Sequence, residues 1–241
     1  MARDVALMGR ARASGETVFS VYGWTRPTLS LGRNQKAKGC YDVERMREMD
    51  VDVVRRPTGG RALLHNREVT YSVTARVDGT DGLRESYQGI NRILLRALRA
   101  LGVEASVADP GSRSLPPTQL PCFAAPSHGE LVSHGRKLVG SAQWRENGAL
   151  LQHGSILIEN DQSLIPLFSI GSTEREFIPA PATLAGELGR TPDVSEIVAA
   201  LFDAVHELED AHAATLDEQE VRALALDELH HFENEVWTWR R

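Results

Sequence analysis

Residues 55–75 read RRPTGGRALLHNREVTYSVTA and join a glycine-containing loop to a strand. Within Glu68–Ala75, apolar side chains alternate with serine and threonine, which is the period of a strand that buries one face. The short apolar run Val51–Val54 indicates a buried strand before the loop. Between these strands, Gly59 and Gly60 let the backbone approach a ligand closely, and exposed loop amides bind anions. The stretch therefore predicts a sheet with a ligand-binding loop between two of its strands.

Arginines occupy four positions within thirteen residues of this stretch: Arg55, Arg56, Arg61 and Arg67. Their guanidinium groups add fixed positive charge and fork-shaped hydrogen-bond donors, which suit carboxylate and phosphate groups. A glycine turn with solvated arginines is the simpler interpretation of such a loop taken alone. The glycine spacing matches neither the P-loop nor the dinucleotide-binding fingerprint, so the loop alone identifies no nucleotide site.

Composition places the chain among globular proteins. Its 241 residues, 41% of them hydrophobic, suffice for one domain with a sizeable core. No apolar run approaches the ~18 residues of a membrane span, and the first residues lack the apolar core of a secretory signal. The net charge of −6 argues against nucleic-acid binding. Cys40 and Cys122 are too few for a disulfide scaffold or a zinc clip, and they fit a cytoplasmic protein.

The remaining pattern predicts a mixed α/β fold, with helices packed on a mixed sheet. Arg84–Leu101 carries apolar side chains at helical spacing, so Ile90, Ile93, Leu94 and Leu98 should face the sheet. Further helices are predicted over Ala2–Arg12 and after Asp42. Two more are predicted near the C-terminus, one opened by a capping box of Asp193 with Glu196 and one opened by Thr215 with Glu218. Further strands are predicted over Thr17–Tyr22, Thr28–Gly32 and Val103–Val107.

Four prolines make Asp109–Pro121 a long irregular loop. After it, tight turns at Gly135-Arg136 and at Glu146–Gly148 indicate hairpins, whose strands must run antiparallel. Beyond about residue 190, a small helical region completes what we predict to be a single domain. The hairpin strands are predicted at Leu131–His134, Lys137–Arg145 and Ala149–Ile158.

Several single residues are candidates for chemistry, although each has an ordinary alternative. Cys122, at the exit of the proline-rich loop, is a candidate nucleophile, whereas a lone cysteine is more often a small buried hydrophobe. Lys137 lies just after a turn, where a lysine is normally a solvated charge. His65 and His153 could act as bases or polar contacts, and each taken singly is more often structural or exposed.

Five segments in a fixed order strengthen these candidates together. RRPTGGRALLH, EVTYSV, PCFAAPS, GRKLVGSAQWR and LLQHGSI resemble motifs of the lipoate–protein ligase A/octanoyltransferase superfamily. More narrowly, they look like those of the cysteine-dependent octanoyl-acyl-carrier-protein:protein N-octanoyltransferases of the Bacillus type. The motifs span roughly Tyr22–Ile158, and Trp237–Arg240 is similar to the family's C-terminal ending.

This resemblance implies a biotin/lipoyl protein ligase-like catalytic domain that transfers an octanoyl group. The group would move from octanoyl-acyl carrier protein to a lysine of a lipoyl-domain protein, either the glycine cleavage H protein or the E2 subunit of a 2-oxoacid dehydrogenase. Cys122 matches the family's cysteine that carries the acyl group as a thioester, and Lys137 matches its active-site lysine. The resemblance places substrate-binding positions at Arg56, Thr58, Gly59, Gly60, Arg61, His65, Ser141, Gln143 and His153.

The implied chemistry agrees with these residue types. A thiolate is the competent nucleophile towards a thioester, and exchange between two thioesters is nearly balanced in energy. A lysine cation near Cys122 would favour the thiolate and stabilise developing oxyanion charge. No ATP, metal or redox cofactor is then required. The acyl chain would occupy an apolar tunnel lined from Val69–Ala75 and Leu138–Ala142, and the arginine loop would suit an acidic carrier protein.

Two features depart from the family pattern. The opening Met-Ala-Arg-Asp resembles the start of the family's first helix, and the family's usual preceding strand has no counterpart in this sequence. We therefore expect either a late start of the given sequence or a bare edge of the sheet. Asn66 follows His65 where the family usually has aspartate, which argues against a charged partner for His65.

Three other functions fit parts of the pattern. An ATP-dependent lipoate–protein ligase would share the glycine-rich loop and Lys137, but it has no need of Cys122. A lipoyl or octanoyl amidotransferase would use a cysteine, yet RRPTGGR and EVTYSV favour the carrier-dependent transferase. A catalytically inactive relative would bind its ligand without turnover, although Cys122 and Lys137 are both present. Octanoyl transfer is therefore the function that the motifs predict.

Overall fold

The computed structural model describes residues 1–77, 83–108, 121–170 and 180–240, which form two sheets and their packed helices. The strands are β1 (Val18–Tyr22), β2 (Thr28–Leu31), β3 (Asp52–Arg55), β4 (Leu63–His65), β5 (Glu68–Arg76), β6 (Ser106–Val107), β7 (Leu131–Ser133), β8 (Arg136–Glu146) and β9 (Ala149–Leu157). The helices are α1 (Ala2–Ser14), α2 (Val43–Glu48), α3 (Leu83–Ala100), α4 (Leu184–Leu188), α5 (Val194–Leu208), α6 (Glu218–Glu233) and α7 (Glu235–Thr238), with 3₁₀ turns at Cys122–Ala124 and Gln162–Phe168.

The larger sheet has six strands in the order β1-β5-β9-β8-β7-β6 and is antiparallel throughout. Its β8–β9 hairpin turns at Asn147 and Gly148, which have φ values of 50° and 77°. The β7–β8 hairpin turns at His134 and Gly135, where φ is again positive at both residues. Positive φ at both turn residues matches the right-handed twist of the flanking strands. The predicted hairpins are confirmed, and each strand end moves by at most one residue.

A second sheet of three strands, in the order β3-β2-β4, supplies the mixed character of the fold. Strands β2 and β3 run parallel, which requires a crossover, and α2 lies within that crossover. Strand β4 pairs antiparallel with β2. The sequence pattern does not predict β4, because three residues are too few for a period to show. The predicted mixed sheet is thus divided into an antiparallel sheet and a small mixed one.

Helix α3 packs its apolar stripe into the main core, as its periodicity predicts. Ile90, Ile93, Leu94 and Leu98 are at most 6% exposed. They share one hydrophobic cluster with side chains of β5, β8, β9 and α5. This burial of a helix face against a sheet face confirms the predicted α/β layering.

The strand predicted over Val103–Val107 is wrong for most of its length, since only Ser106–Val107 pairs, with β7. Gly102 ends α3 with a φ of +90°, and the Val103 amide bonds back to the Leu98 carbonyl. The residues that follow the helix therefore complete its C-terminal cap and are not free to join a ladder.

One of the two predicted helix starts in the C-terminal region needs correction. Asp193 caps α5 as predicted, and the Glu196 carboxylate accepts from the Asp193 amide and also pairs with Arg190. Helix α6 starts after Asp217 and not at Thr215. An ionised aspartate at this position both accepts from the first free amides and complements the positive end of the helix.

The predictions for the sheet edge, the proline-rich loop and membrane spans have different outcomes. Among the described residues, β1 forms one edge of the larger sheet and pairs with β5 alone. The irregular loop predicted over Asp109–Pro121 falls on residues 109–120, which lie outside the described residues. Within the described part, no helix has the length and apolar character to cross a bilayer. The single-domain assignment stays a prediction.

The C-terminal segment returns to the loop of residues 55–61. The Trp237 indole donates to the Arg55 carbonyl at 2.8 Å, and Arg55 Nε donates to the Thr238 carbonyl at 2.8 Å. Two hydrogen bonds therefore tie the last helix, α7, to the first residue of the loop. This contact gives the conspicuous tryptophan-rich ending a structural role.

Leu94→Ala should lower the free energy of unfolding by about 2–5 kcal/mol, because it removes a fully buried side chain and leaves a cavity. Leu226→Ala is the matched control, since Leu226 on α6 is 61% exposed and its truncation should cost under about 0.5 kcal/mol. Urea denaturation followed by circular dichroism measures both values. Equal losses in the two variants would contradict the packing of α3.

Candidate active site

Two inward-pointing guanidinium groups hold the loop of residues 55–61. Arg55 is fully buried and donates to the backbone carbonyls of Gly32, Gln35 and Thr238, which lie in two segments outside the loop. Arg56, 4% exposed, donates to the Ser30 carbonyl and hydroxyl and to the carbonyls of Gly59 and Arg61. Burial lowers the pKa of Arg56. Both arginines act as internal clamps, so the solvated reading is wrong for them.

The other two arginines of the stretch behave differently. Arg67 is exposed and pairs with Glu159 at the surface. Arg61 is 5% exposed and donates through Nη2 to the carbonyls of Cys122 and Ala125 at 3.1 and 3.3 Å. Its Nη1 is buried and has no hydrogen-bond partner in the described part of the chain. Arg61 therefore retains a donor for a ligand.

A glycine outside the motif allows the loop to pack. Gly60 has a φ of +103°, and a Cβ on Gly32 would lie 1.9 Å from the Gly60 carbonyl oxygen. No side chain fits between the two backbones at this point. Gly32 ends the predicted strand Thr28–Gly32, and nothing in its sequence context marks the contact.

A cavity of about 1020 Å³ opens beside this loop. It brings together the loop, the 3₁₀ turn that starts at Cys122, and residues of β8 and β9, which are distant from one another in the sequence. Of the predicted site residues, Arg56, Gly59, Gly60, Arg61, His65, Cys122, Lys137, Ser141, Gln143 and His153 line the cavity, and Thr58 does not.

The apolar wall of the cavity differs from the predicted tunnel. Of Val69–Ala75, only Thr70 is among the described lining residues, because Val69, Tyr71 and Val73 turn into the core on the other face of β5. Of Leu138–Ala142, the last three residues line the cavity. Apolar contacts come instead from the second sheet, from α3 and from β6, through Leu63, Leu95 and Val107.

Cys122 and Lys137 meet at one side of the cavity. Cys122 opens the 3₁₀ turn, and its amide donates to the Ala62 carbonyl at 2.8 Å. The Lys137 amine lies 3.2 Å from the Cys122 sulfur and 3.0 Å from the Cys122 carbonyl oxygen. Lys137 is only 2% exposed, so the expectation of a solvated lysine is wrong. Because an adjacent cation stabilises a thiolate, the pair has the geometry of an activated nucleophile.

A carboxylate that the sequence analysis missed completes this group. Glu130, 7% exposed, accepts from the Lys137 amine at 2.6 Å through one oxygen and from the Ser127 amide at 2.7 Å through the other. Glu130 directly precedes β7, whose Val132 is the register partner of Lys137. Nothing in the sequence indicates that Lys137 is buried. Had its burial been predicted, a carboxylate partner would have been expected as well, since buried charges are paired.

His65 has a charged partner, contrary to the expectation drawn from Asn66. Its Nδ1 lies 3.1 Å from the Glu68 carboxylate, and its Nε2 lies 2.8 Å from the Ser30 hydroxyl. The imidazole stacks on Trp24 with ring centroids 4.2 Å apart. Glu68 alternates with the apolar residues of β5, so its side chain reaches the same side as His65. The aspartate that the family has after the histidine is thus not needed for a charged contact.

His153 links α1 to the loop. Its Nδ1 lies 3.2 Å from the Asp4 carboxylate, and its Nε2 lies 2.7 Å from the Thr58 hydroxyl. Burial lowers the pKa of His153, against the opposing effect of Asp4. The neutral ring therefore donates from Nδ1 to Asp4 and accepts the Thr58 hydroxyl proton at Nε2. Thr58, which does not line the cavity, fixes the loop through His153.

Ser141 and Gln143 belong to a chain of hydrogen bonds across the sheet. The Tyr71 hydroxyl lies 2.7 Å from the Ser141 hydroxyl and accepts from Gln152 at 2.9 Å. Gln143 in turn donates to the Gln152 side-chain oxygen at 2.7 Å. Burial raises the pKa of Tyr71 to about 12, so its hydroxyl stays protonated. These contacts order the polar wall of the cavity next to Lys137.

The cavity is electropositive. Its described lining carries the cations of Arg56, Arg61, Arg92 and Lys137 and one carboxylate, that of Glu130. Positive charge in a partly enclosed site favours thiolates, oxyanions and phosphate groups. No cluster of three or more histidine, cysteine, aspartate or glutamate side chains that could hold a metal ion occurs among the described residues.

Gly140→Ala should slow the alkylation of Cys122 by iodoacetamide. A Cβ at Gly140 would lie 3.0 Å from Lys137 Cε, 3.3 Å from its Nζ and 3.1 Å from the Phe123 ring, so the lysine side chain must shift and its contact with the sulfur is disturbed. Mass spectrometry of the Cys122 peptide measures the rate. Gly9→Ala on α1 is the control, because no atom lies within 4 Å of its added Cβ. An unchanged rate in Gly140→Ala would show that the lysine position does not depend on this glycine.

Folding stability should decline as the pH falls below about 6.5, in part through His153. Its pKa in the folded protein is lowered from 6.5, so the unfolded chain binds a proton that the folded chain does not bind. His153→Gln removes this difference, and its free energy of unfolding should vary less between about pH 7.5 and about pH 5.5. Urea titrations across this range measure the slope. His212→Gln, at an exposed loop position, should keep the wild-type slope.

Comparisons with known proteins agree with this architecture. The chain is 46% identical over 169 residues to octanoyltransferase LipM of Kyrpidia tusciae, a match that covers 67% of this chain and 62% of that protein. The chain thus spans less than two thirds of that relative. Octanoyltransferase LipM of Halalkalibacterium halodurans is 35% identical over an alignment of 263 residues, which covers 100% of this chain and 94% of that protein.

Solved structures show the same fold. A bi-partite lipoate protein ligase from Thermoplasma acidophilum, described together with its E2 lipoyl domain, has a TM-score of 0.76 at 20% identity, and the match covers 99% of this chain and 89% of that chain. The model of the lipoyl protein ligase A/B catalytic domain matches residues 1–206. Sequence, site geometry and fold agree, and the chain belongs to the lipoyl protein ligase A/B catalytic domain family.

Proposed function

We propose that this protein is an octanoyltransferase of protein lipoylation. It takes an octanoyl group from acyl carrier protein, holds it as a thioester on Cys122 and passes it to a lysine of a lipoyl domain. The observation that carries the proposal is the 3.2 Å contact between the Cys122 sulfur and the Lys137 amine at the wall of a cavity of about 1020 Å³. The names of the related octanoyltransferases support the same reaction.

The first step is a thioester exchange. The Cys122 thiolate attacks the acyl carbonyl of the carrier thioester, the new carbon–sulfur bond forms, and the bond to the carrier's sulfur breaks. The carrier leaves as a thiolate, which takes up the proton that Cys122 released. Negative charge develops on the carbonyl oxygen during the attack, and Lys137 and the unpartnered Nη1 of Arg61 are the cations beside Cys122 that can stabilise it.

The second step forms an amide. The neutral amine of the acceptor lysine attacks the Cys122 thioester, a carbon–nitrogen bond forms, and the carbon–sulfur bond breaks. Cys122 leaves as a thiolate that is reprotonated by the proton the amine loses. A thioester is more reactive than an amide, so the sequence proceeds without ATP, metal or redox cofactor.

The partners follow from the same proposal. The electropositive cavity suits an acidic carrier protein and the phosphate of its prosthetic arm, and such association weakens with salt. Leu63, Leu95, Val107 and Ala142 supply apolar surface for the octanoyl chain. The acceptor is a lipoyl domain of the kind carried by the glycine cleavage H protein or by E2 subunits, as the pairing of a structurally similar ligase with an E2 lipoyl domain supports.

An ATP-dependent lipoate–protein ligase is the main alternative, because such enzymes share this fold. A ligase activates a free acid and has no use for a cysteine held against the active-site lysine. The Cys122–Lys137 contact therefore favours the transferase. Dependence on ATP and a free acid separates the two functions in an assay. An amidotransferase, the third possibility, would accept the acyl group from an already modified protein instead of the carrier.

Cys122→Ala should abolish transfer while the fold stays intact. The substitution removes one small group, and no other thiol lies beside Lys137 among the described residues, so activity should fall by about a thousandfold or more. The protein is incubated with octanoyl-acyl carrier protein and a lipoyl domain without ATP, and mass spectrometry follows both the adduct on Cys122 and the modified acceptor.

Cys40→Ala is the control, since this second cysteine is 7% exposed and does not line the cavity. It should keep both the adduct and the product. Near wild-type transfer by Cys122→Ala would overturn the thioester mechanism. Activity that appears only with ATP and a free fatty or lipoic acid would replace the transferase with the ligase.

A further inference from the structure

We infer that Glu130 is a positioning residue that holds the Lys137 ammonium group against the Cys122 sulfur. The inference rests on the proposed function, in which the Lys137 cation favours the thiolate of Cys122. None of the sequence motifs assigns a role to Glu130, whose significance comes from the contacts of its two carboxylate oxygens.

Each carboxylate oxygen of Glu130 accepts a hydrogen bond from a different donor. One oxygen accepts from the Lys137 amine at 2.6 Å, and the other accepts from the Ser127 amide at 2.7 Å. The Glu130 amide also donates to the Ser127 carbonyl at 3.1 Å, and the Glu130 carbonyl accepts from the Ala108 amide at 2.8 Å. Backbone and side chain are both held, so the carboxylate presents a fixed acceptor to the lysine.

Burial makes this acceptor necessary. Lys137 is 2% exposed, and burial disfavours the charged form of an amine unless a counterion is present. The neighbouring lining cations, Arg56 and Arg61, disfavour a further positive charge as well. Glu130 is the one carboxylate among the described lining residues. Glu130 is therefore the counterion that pairs with the buried Lys137 ammonium group.

The same contact directs the amine. The ammonium group has three protons, and its three acceptors are the Glu130 carboxylate, the Cys122 carbonyl and the Cys122 sulfur. The first two are fixed oxygen acceptors, which leaves the third proton for the sulfur. Loss of the carboxylate removes the strongest of these bonds and frees the amine to turn.

Removing the carboxylate has two opposing electrostatic effects on Cys122, and their balance is what the experiment decides. Loss of a nearby negative charge by itself favours the thiolate. Displacement of the Lys137 ammonium group disfavours it, because the cation then no longer lies 3.2 Å from the sulfur. The inference requires the second effect to dominate, since the sulfur contacts the lysine and not the carboxylate.

The experiment measures the alkylation rate of Cys122 by iodoacetamide as a function of pH, in a Cys40→Ala background so that one thiol reports. Glu130→Gln should move the midpoint of the profile to higher pH and slow alkylation below the midpoint about tenfold, the change that one pH unit produces. Glu130→Asp, which keeps the charge, should lie nearer to the wild type. Glu159→Gln removes a carboxylate from a surface ion pair and is the matched control.

A double-mutant cycle separates action through Lys137 from a structural role. In a Lys137→Met background, Glu130→Gln should change the alkylation rate less than about twofold, because its effect passes through the lysine. An equal effect in both backgrounds would overturn the inference. A faster or unchanged rate in Glu130→Gln alone would overturn it too. Circular dichroism of each variant verifies that the protein is folded, and Glu130→Asp supplies the comparison if the glutamine variant unfolds.

The assay contains no acyl substrate, so its outcome is independent of octanoyl transfer. If Cys122→Ala retains transfer, the proposed function fails while the alkylation profile still reports on Glu130. If the Glu130 variants alkylate like the wild type, the positioning role fails while Cys122 can still carry the acyl group.

Discussion

A lysine amine with 2% exposure must find its partners inside the protein, and the candidate active site is arranged around that requirement. Lys137 reaches Cys122 at the 3₁₀ turn and Glu130 before β7, while the Phe123 ring lies 5.0 Å from the amine. Gly140, three residues further along β8, leaves the space that the lysine side chain fills. The buried Lys137 amine on β8 thus contacts both the 3₁₀ turn at Cys122 and the residue that precedes β7.

Buried polar groups around the cavity follow the same rule. The Arg56 guanidinium is satisfied by carbonyls of the loop that it shapes, and His65 and His153 each hold a carboxylate partner. Such satisfied networks specify one arrangement of a site, because any displacement leaves a buried donor or acceptor unpaired. Two lining residues depart from this rule in the described part of the chain: Arg61 through its unpartnered Nη1, and Asn91 through its unpartnered side-chain oxygen.

The fold alone does not distinguish a transferase from an ATP-dependent ligase, since structurally similar ligases share it at low sequence identity. The distinction that we propose is whether a nucleophile is held against Lys137. In this protein the sulfur of Cys122 occupies that position. A thiol adjacent to a cation, in a cavity whose described lining carries four cationic side chains and one carboxylate, is suited to acyl exchange between thioesters.

Local sequence patterns determined a large part of this structure. The helical period of α3, the alternation along β5 and the two-residue hairpin turns each lie within one segment of the chain. Within one segment, the spacing of apolar residues alone sets which face is buried. The order of the motifs predicted Cys122 and Lys137 as catalytic residues, and the structure brings the two side chains into contact. Tertiary structure alone decided that Lys137 is buried, that Glu130 and Glu68 are the charged partners, and that Arg55 and Arg56 point inward. The physical reason is that a charged side chain carries no local period, and its partner is chosen by which distant segments the fold brings within hydrogen-bonding distance.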